Sequence, residues 1–397
     1  MNNFYAAFDV FPAFKGASSH IACNVRAMER FSRTVTLACL GYADMPIYQE
    51  EGSIAIRRCL GHHPNYLKRT EIFGRHVAGL LRAGGNSLTN VHFRDIWSGL
   101  PIINHPMAKH VGKIFEVNGL PSIELPTHYP RLRENEALLR HIRHMEDLCL
   151  KGADKIITVS SVTASYLKER GADETKITLI PNAVYEDSKK CEDSEGKIRS
   201  KPIASIFGGK PFILYSGTLS PWQGVDVLIK AYYHVAHSVK DVNLLLACSS
   251  TKYLKPTLKP LDAMGLRDKV KVIVGVSRER LATLYEEAAI TVAPLTRCDR
   301  NELQGACPVK IIESMSHGTP VVASGLASIR EIIDHGKDGW LVTPDSPRSL
   351  ANGMIRLLNS GELVESLGQA ARIKIKTRFG MDLFESRLKR LYEEIGR

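Results

Sequence analysis

Short apolar runs alternate with amphipathic stretches along the chain. The apolar run at residues 4–10 predicts a strand, which is followed by a small-residue turn and a helix that ends near Phe31. Further runs predict strands at residues 34–40, 53–56, 90–96, 113–117, 155–160, 211–217, 242–248, 270–274 and 290–294. Strands separated by helices in this way are typical of doubly wound α/β sheets, which bind ligands at the carboxyl ends of their strands.

A polar, charged stretch at residues 186–210 interrupts this alternation and carries no strand pattern. It predicts a linker between a first domain at residues 1–185 and a second domain at residues 211–379. The length of 397 residues and the composition, 44% apolar and 24% charged, agree with two domains that each have a full core.

The formal net charge of +11 predicts partners that carry negative charge. No recognition helix or stacking motif for nucleic acid is apparent, so we expect anionic substrates and a lipid surface, and no nucleic acid. A helix predicted at residues 66–82 is amphipathic and basic, which would let it lie on the anionic headgroups of a membrane. An ordinary outer helix with solvated charges explains the same pattern, and we favour that interpretation.

The eight cysteines lack the two-residue spacing of a zinc or redox site, which predicts reduced thiols. Residues 1–14 are apolar, but no basic residue precedes them, and Asp9 and Pro12 interrupt them, so no signal peptide is expected. No run of ~18 apolar residues predicts a membrane-spanning helix. We therefore expect a cytoplasmic protein, with any membrane contact peripheral and at the inner face.

The stretch at residues 307–324, CPVKIIESMSHGTPVVAS, is the main candidate for a binding site. Pro308 suits the first position of a helix and Gly318 suits its left-handed end, so the stretch predicts a helix of about ten residues followed by a buried strand. Lys310 and Glu313 would share a face near the positive end of that helix. A ligand with an anionic group and a diol fits such a pocket, although ordinary helix ends also carry these residues.

Glu313 followed by SMSHGTPVVAS resembles the signature of the family-four retaining glycosyltransferases of the GT-B fold. The resemblance covers essentially the whole chain, and its specific part lies at residues 270–342. It implies two Rossmann-like doubly wound domains that face a central cleft, with a last helix at about residues 380–397 that crosses back to the first domain. It also implies that Glu313 binds the ribose of a sugar-nucleotide donor.

Several positions depart from the pattern of that family. Gly305 stands where the family has a glutamate that contacts the donor sugar, and the amides of Gly305, Ala306 and Cys307, or Lys310, would replace that contact. The loop TLSPWQG lacks the arginine and the lysine of the family, with Gln223 at the place of the lysine, and Asn118 stands where the family has a histidine near the donor sugar. We expect Asn118 to position the sugar without acid/base chemistry, because an amide does not titrate. A buried diphosphate still requires cations or aligned amides. The expected substitutes are Lys310, Arg297, Arg300 and the amides of Gly217 and Thr218.

The resemblance, together with the positions of Arg94 and Glu116 at predicted strand ends, assigns residues to three roles. The predicted catalytic residues are Asn118, Lys310 and Glu313. The predicted donor-binding residues are Gly16, Gly217, Thr218, Gln223, Val276, Arg297, Gly305, Ala306, Cys307, Pro308, Val309, Lys310 and Glu313. The predicted acceptor-binding residues are Ser18, His20, Arg94 and Glu116. Alternatives remain for three of these: Ser18 as a helix cap, His20 as an ordinary first-turn histidine, and Glu116 as a salt-bridged residue at a strand end.

The resemblance implies a retaining transfer of a sugar from a nucleotide-diphosphate sugar to a saccharide, polysaccharide or lipid-linked acceptor. No Asp-x-Asp motif is present, so we expect no metal, and no cofactor is implied. A non-catalytic sugar-nucleotide-binding or scaffold subunit of the same fold is the alternative. An epimerase or a phosphorylase on this fold also stays open. A nicotinamide oxidoreductase is not favoured, because the turn KGASSH lacks the glycine fingerprint.

Overall fold

Two mainly parallel sheets organise the protein. The structure, a computed structural model, describes residues 1–60, 63–184 and 206–395. The strands of the first sheet are β1 (Asn2–Val10), β2 (Thr34–Gly41), β3 (Tyr48–Glu51), β4 (Ile54–Leu60), β5 (Asn90–Phe93), β6 (Gly112–Val117), β7 (Lys155–Thr158) and β8 (Ile177–Leu179). The strands of the second sheet are β9 (Phe212–Gly217), β10 (Asn243–Cys248), β11 (Val270–Val274), β12 (Ile290–Ala293), β13 (Val321–Ser324) and β14 (Trp340–Val342).

Helices connect the strands of both sheets. Those that follow strands of the first sheet are α1 (Gly16–Phe31), α2 (Tyr66–Gly84), α3 (Ile96–Ile103), α4 (Pro121–His128), α5 (Glu136–Gly152) and α6 (Ser161–Glu169). The later ones are α7 (Val225–Ser238), α8 (Leu254–Ala263), α9 (Arg278–Glu287), α10 (Asp299–Glu302), α11 (Val309–Ser316), α12 (Ala327–Arg330), α13 (Pro347–Leu358), α14 (Gly361–Arg378) and α15 (Met381–Ile395).

The strand order places one switch point in each sheet. The orders are β3-β4-β2-β1-β5-β6-β7-β8 and β11-β10-β9-β12-β13-β14, and only β3 runs antiparallel to its neighbour. The connections therefore reverse direction beside β1 in the first sheet and beside β9 in the second. Crevices for ligands form at the carboxyl ends of the strands at such points. The predicted fold class, two doubly wound domains, is confirmed.

Alternate residues of β1 face two different cores. Phe4 and Ala6 belong to one apolar cluster, whereas Tyr5 and Ala7 belong to another on the opposite side of the sheet. This alternation follows from the two-residue period of a strand. It explains why the strands appear in the sequence as continuous apolar runs, since both faces are covered.

Some predicted elements differ from the structure. The strand predicted at residues 53–56 extends over Ile54–Leu60, and its neighbour β3 was not predicted because its sequence, YQEE, is polar and it lies at an edge. The predicted helix start at Pro308 is displaced by one residue, because Pro308 is the N-cap of α11. Residues 186–205 of the predicted linker lie outside the described residues.

The last helix, α15, packs on the first sheet. Phe384, Leu388 and Tyr392 share an apolar core with Ile21 of α1. The Tyr392 hydroxyl also lies 2.8 Å from Nδ1 of His92 on β5. The helix α15 therefore packs on the first domain, as the resemblance implied.

Candidate active site

The starts of α1 and α11 face each other across the cleft. Gly16 is the first residue of α1, and a Cβ built on it would lie 3.8 Å from the Cβ of Val309, the first residue of α11. Each helix start carries unpaired amides and a positive partial charge. Two such starts at this distance make a site for an anion.

The amides before α11 are available to a ligand. Within the described residues, no group accepts a hydrogen bond from the backbone N–H of Gly305, Ala306, Cys307, Val309 or Lys310. Pro308 has no N–H to contribute. Buried or half-buried amides without a partner are costly, so an oxyanion bound here would complete their hydrogen bonding.

Lys310 is the cation of this site. Its Nζ donates to Oε1 of Gln223 at 2.6 Å and lies 4.3 Å from the centre of the Tyr215 ring. A Cβ on Gly217 would lie 2.9 Å from the same Nζ, so this glycine makes room for the ammonium group. Burial lowers the pKa of Lys310 to about 7, and the charge of Arg300 acts in the same direction. Three predicted donor-binding residues are therefore brought together here.

Glu313 lies on the same face of α11, one turn further along. Its Oε2 accepts a hydrogen bond from the Tyr285 hydroxyl at 3.2 Å, and that hydroxyl is also 2.7 Å from Oγ of Ser216. Burial raises the pKa of Glu313, while the positive charges of Arg278 and Lys310 oppose the rise. The carboxylate is half-buried and held in place, as a group that accepts hydrogen bonds from a diol would be.

Two residues beside Glu313 were missed by sequence reasoning. Arg278 and Tyr285 lie seven residues apart on α9, so they share one face of that helix. Arg278 begins the helix directly after the turn at Gly275, Val276 and Ser277. Position at a strand end and the seven-residue spacing were the signals that could have identified them.

The turn after β11 approaches the turn after β1. A Cβ on Gly275 would lie 3.7 Å from the ring of Phe14, whose side chain is 58% exposed. Val276 follows Gly275 and is half-buried. The role of Val276 as a contact to a nucleobase stays a prediction.

A buried carboxylate supports Asn118. Oε1 of Glu116 accepts from the Asn118 amide and pairs with Nε2 of His20. Oε2 accepts from the Tyr5 hydroxyl at 2.9 Å and lies 3.3 Å from Nε2 of His92. Burial by itself raises the pKa of Glu116, but the two histidines outweigh it and hold the pKa well below its usual value. Asn118 is therefore anchored by an ionised group at the carboxyl end of β6.

A second ion-pair cluster lies at the end of β1. Asp9 accepts from Lys15 through one carboxylate oxygen and from Arg94 through the other. Burial raises the pKa of Asp9, but the two cations prevail and lower it. The charge of Arg94 is thus compensated within the first domain.

The predicted acceptor contacts stay predictions, and the structure buries three of the four residues. Ser18, His20 and Glu116 are 5%, 4% and 1% exposed. Ser18 does not cap α1, because its Oγ accepts from the amide of Ala13 and the N-cap is Lys15. His20 and Glu116 fit the structural alternatives, and Arg94 is paired.

The donor contact of Arg297 stays a prediction. Its side chain is exposed, and only its backbone amide is held, by the Asp345 carboxylate at 3.1 Å. Arg300 lies nearer to the site, since its charge contributes to the low pKa of Lys310. Its guanidinium lies 5.1 Å from the centre of the Trp222 ring.

The loop before α11 joins the two domains. Gln304 accepts from the amide of Leu120 at 2.8 Å through Oε1, and its carbonyl accepts from Thr163 Oγ1 at 2.6 Å. Gly305 has a φ of +70°, and a Cβ there would lie 2.7 Å from Oγ of Ser160. Position 305 is therefore glycine because the loop is left-handed and packs against the first domain, which leaves no room for an acidic side chain.

Two family models match the chain. The model described as Glycosyltransferase Family 4 matches residues 14–188, and the model described as Glycosyl transferases group 1 matches residues 197–374. Over 259 residues, the chain is 24% identical to the alpha-D-kanosaminyltransferase of Streptomyces kanamyceticus. This alignment covers 63% of this chain and 65% of that protein. The chain thus spans less than two thirds of the length of that relative.

Two solved structures have the same fold. The sucrose-phosphate synthase from Thermosynechococcus elongatus has a TM-score of 0.80 at 18% identity, with 99% of each chain covered. The Anabaena protein HepE, in complex with UDP and glucose, has a TM-score of 0.75 at 15% identity, with 99% of this chain and 100% of that chain covered. At these identities the likeness shows the fold, and the predicted GT-B arrangement is confirmed.

We expect Gly305→Ala to lower the free energy of unfolding by ~1–2 kcal/mol, because a left-handed φ disfavours any residue with a Cβ. Gly79→Ala inside α2 is the control, since its new Cβ would meet nothing within 4 Å. That change should raise the free energy by ~0.5–1 kcal/mol. Urea denaturation measures the free energy of unfolding of both variants. An equal change in the two variants would contradict the left-handed conformation of the loop at Gly305.

Proposed function

Because the chain belongs to the group 1 and family 4 glycosyltransferases, we propose that it transfers a sugar from a nucleotide-diphosphate sugar to a saccharide, polysaccharide or lipid-linked acceptor. The observation that carries this proposal is the convergence of two helix starts on Lys310, with Glu313 one turn away. The kanosaminyltransferase and the UDP- and glucose-bound HepE support a nucleotide sugar and a saccharide as the substrate classes.

Stabilisation of the leaving diphosphate is the proposed source of catalysis. Negative charge grows on the diphosphate as the bond to the sugar breaks. The free amides at residues 305–310 and the ammonium of Lys310 face the place where that charge develops. Since these groups are fixed before the reaction, they need no reorganisation as the charge appears.

Glu313 and Asn118 hold the two ends of the donor in this proposal. Glu313, fixed by Tyr285, accepts from the ribose hydroxyls. Asn118, fixed by Glu116, positions the transferred sugar by accepting from one hydroxyl and donating to another oxygen. We propose retention at the anomeric carbon, as the resemblance implies. We also propose that no metal or cofactor is required, because the amides and Lys310 supply the positive charge.

A non-catalytic sugar-nucleotide-binding subunit is the second candidate. Position 305 cannot carry an acidic side chain, and Lys310 with a pKa of about 7 is only partly charged near neutral pH. These features favour binding over turnover. Hydrolysis of the donor, measured together with donor binding, separates the candidates, since the subunit would bind without hydrolysing.

Lys310→Ala and Glu313→Ala should each lower kcat/KM for donor turnover by about 100-fold or more, because each removes a charged contact to the donor. Lys230→Ala, an exposed lysine on α7, is the matched control and should leave turnover unchanged. A coupled assay for the released nucleoside diphosphate measures all three. Turnover that survives both substitutions at the site would defeat the proposal.

Binding of a nucleotide sugar should take up a proton at about pH 8 and almost none at about pH 6. The reason is that the pKa of Lys310 is about 7 in the free protein, whereas the diphosphate binds the protonated amine. Titration calorimetry in buffers of different ionisation enthalpy measures the uptake. Lys310→Arg should abolish it, since arginine stays charged. Wild-type binding without proton uptake at the higher pH would contradict the assignment of Lys310.

Peripheral contact with an anionic membrane also stays a proposal. In the described part of the chain, no helix is long and apolar enough to cross a membrane. The apolar face of α2 is buried against the first sheet through Phe73, Val77 and Leu81, so its charges and the exposed Leu67 near its start are what could contact lipid. Glu71 pairs with both Lys68 and Arg75, which reduces those charges.

We therefore expect weak, salt-sensitive binding to vesicles that contain phosphatidylglycerol, because screened surface charges make the main contribution. Arg75→Glu should reduce the co-sedimented fraction, while Lys230→Glu on the second domain, the same change of charge, should not. Equal binding to uncharged phosphatidylcholine vesicles, or none to anionic ones at low salt, would contradict the proposal.

A further inference from the structure

Glu124 reaches across the cleft from the first domain. Its Oε1 accepts from Nε of Arg300 and from Nε2 of Gln304, both at 3.1 Å. Arg300 lies in the short helix α10, and Gln304 lies in the loop that connects α10 to α11. The carboxylate is therefore fixed by the second domain, although its own backbone belongs to α4 of the first.

The other oxygen of Glu124 is not used by the protein. In residues 1–60, 63–184 and 206–395, no group forms a hydrogen bond or an ion pair with Oε2. The side chain is 30% exposed. An ionised carboxylate accepts up to about four hydrogen bonds. Glu124 thus has acceptor capacity left on the side that faces solvent.

The absence of a side chain at Gly119 leaves room for the carboxylate of Glu124. A Cβ built on Gly119 would lie 2.8 Å from Oε1 and 2.9 Å from both Cδ and Oε2 of Glu124. The carboxylate therefore lies flat over the backbone at the carboxyl end of β6, next to Asn118. Any side chain at position 119 would displace it.

From this geometry we propose that Glu124 binds hydroxyl groups of the sugar ring of the donor. The inference rests on the proposed function. Gln304, one of the two partners of Glu124, directly precedes the free amides assigned to the diphosphate, and the sugar is attached to that diphosphate. Because Gly305 leaves no room for an acidic side chain on the second domain, the first domain supplies the carboxylate from the opposite wall.

The contact makes sugar recognition depend on closure of the cleft. Oε1 holds the domains together through Arg300 and Gln304, while Oε2 accepts from the sugar. A nucleoside diphosphate without a sugar does not reach Oε2. Loss of the Glu124 contact should therefore weaken binding of the nucleotide sugar without weakening binding of the nucleoside diphosphate.

The experiment compares the Kd of a nucleoside diphosphate with that of its sugar conjugate, using UDP with UDP-glucose and GDP with GDP-mannose as probes. Glu124→Gln keeps the shape of the side chain and removes its charge, and Gly119→Ala keeps the charge and displaces it. Glu331→Gln is the control, because Glu331 also bridges the domains, through the amide and hydroxyl of Ser161. Titration calorimetry measures each pair.

Glu124→Gln and Gly119→Ala should each weaken the sugar conjugate about tenfold or more relative to the diphosphate, as expected for loss of a hydrogen bond to a charged group. The diphosphate alone should bind within about twofold of wild type in both variants, and Glu331→Gln should leave the ratio unchanged. If Glu124→Gln leaves the ratio of the two Kd values unchanged, or weakens both ligands equally, the inference about Glu124 is overturned and the proposed function is not. Wild-type protein that binds neither probe pair overturns the proposed function and the inference with it.

Discussion

The close approach of two helix starts is the constraint on which the rest of the structure depends. Gly16 and Val309 bring the positive ends of α1 and α11 together, and partial charges of the same sign oppose each other at that distance. An anion that lies beside both helix starts changes this opposition into two favourable interactions. The free amides before α11 and the amine of Lys310, whose pKa burial lowers to about 7, would also gain favourable interactions from a bound anion. The cleft is therefore built around a ligand that carries negative charge.

Fixed polar networks on either side of this point determine what else the ligand must contain. On the first domain, Glu116 is buried between two histidines and anchors Asn118, so this amide is held in place at the carboxyl end of β6. On the second domain, Tyr285 holds Glu313 in the same way. A diphosphate flanked by hydroxyl-bearing groups on both sides satisfies all of these positions, and a nucleotide sugar has that composition.

The sequence was sufficient for the parts of the account that depend on local pattern. Apolar runs identified the buried strands, and Pro308 with Gly318 delimited α11 to within a residue or two. The spacing of Lys310 and Glu313 correctly placed them on one face. The meeting of Gly217, Gln223 and Lys310 followed from the resemblance, because each lies at a strand end or helix start that the fold fixes.

The rest depends on contacts between residues that are distant in sequence. His20 and Glu116 appeared suited to an acceptor, but both are buried: Tyr5, His92 and His20 contact the carboxylate of Glu116, and Nε2 of His20 pairs with that carboxylate. Glu124 carries no local signal at all, since its partners come from the other domain.

The central claim is that the diphosphate of a nucleotide sugar lies beside the two helix starts, on the amides before α11 and Lys310, with its ribose on the second domain. A crystal structure of the protein soaked with a nucleotide sugar that binds it tests this most directly. The account predicts phosphate oxygens within hydrogen-bonding distance of the amides before α11 and of Nζ of Lys310, and a ribose diol on the carboxylate of Glu313. A diphosphate bound away from these amides, with Glu313 turned from the ribose, would contradict it.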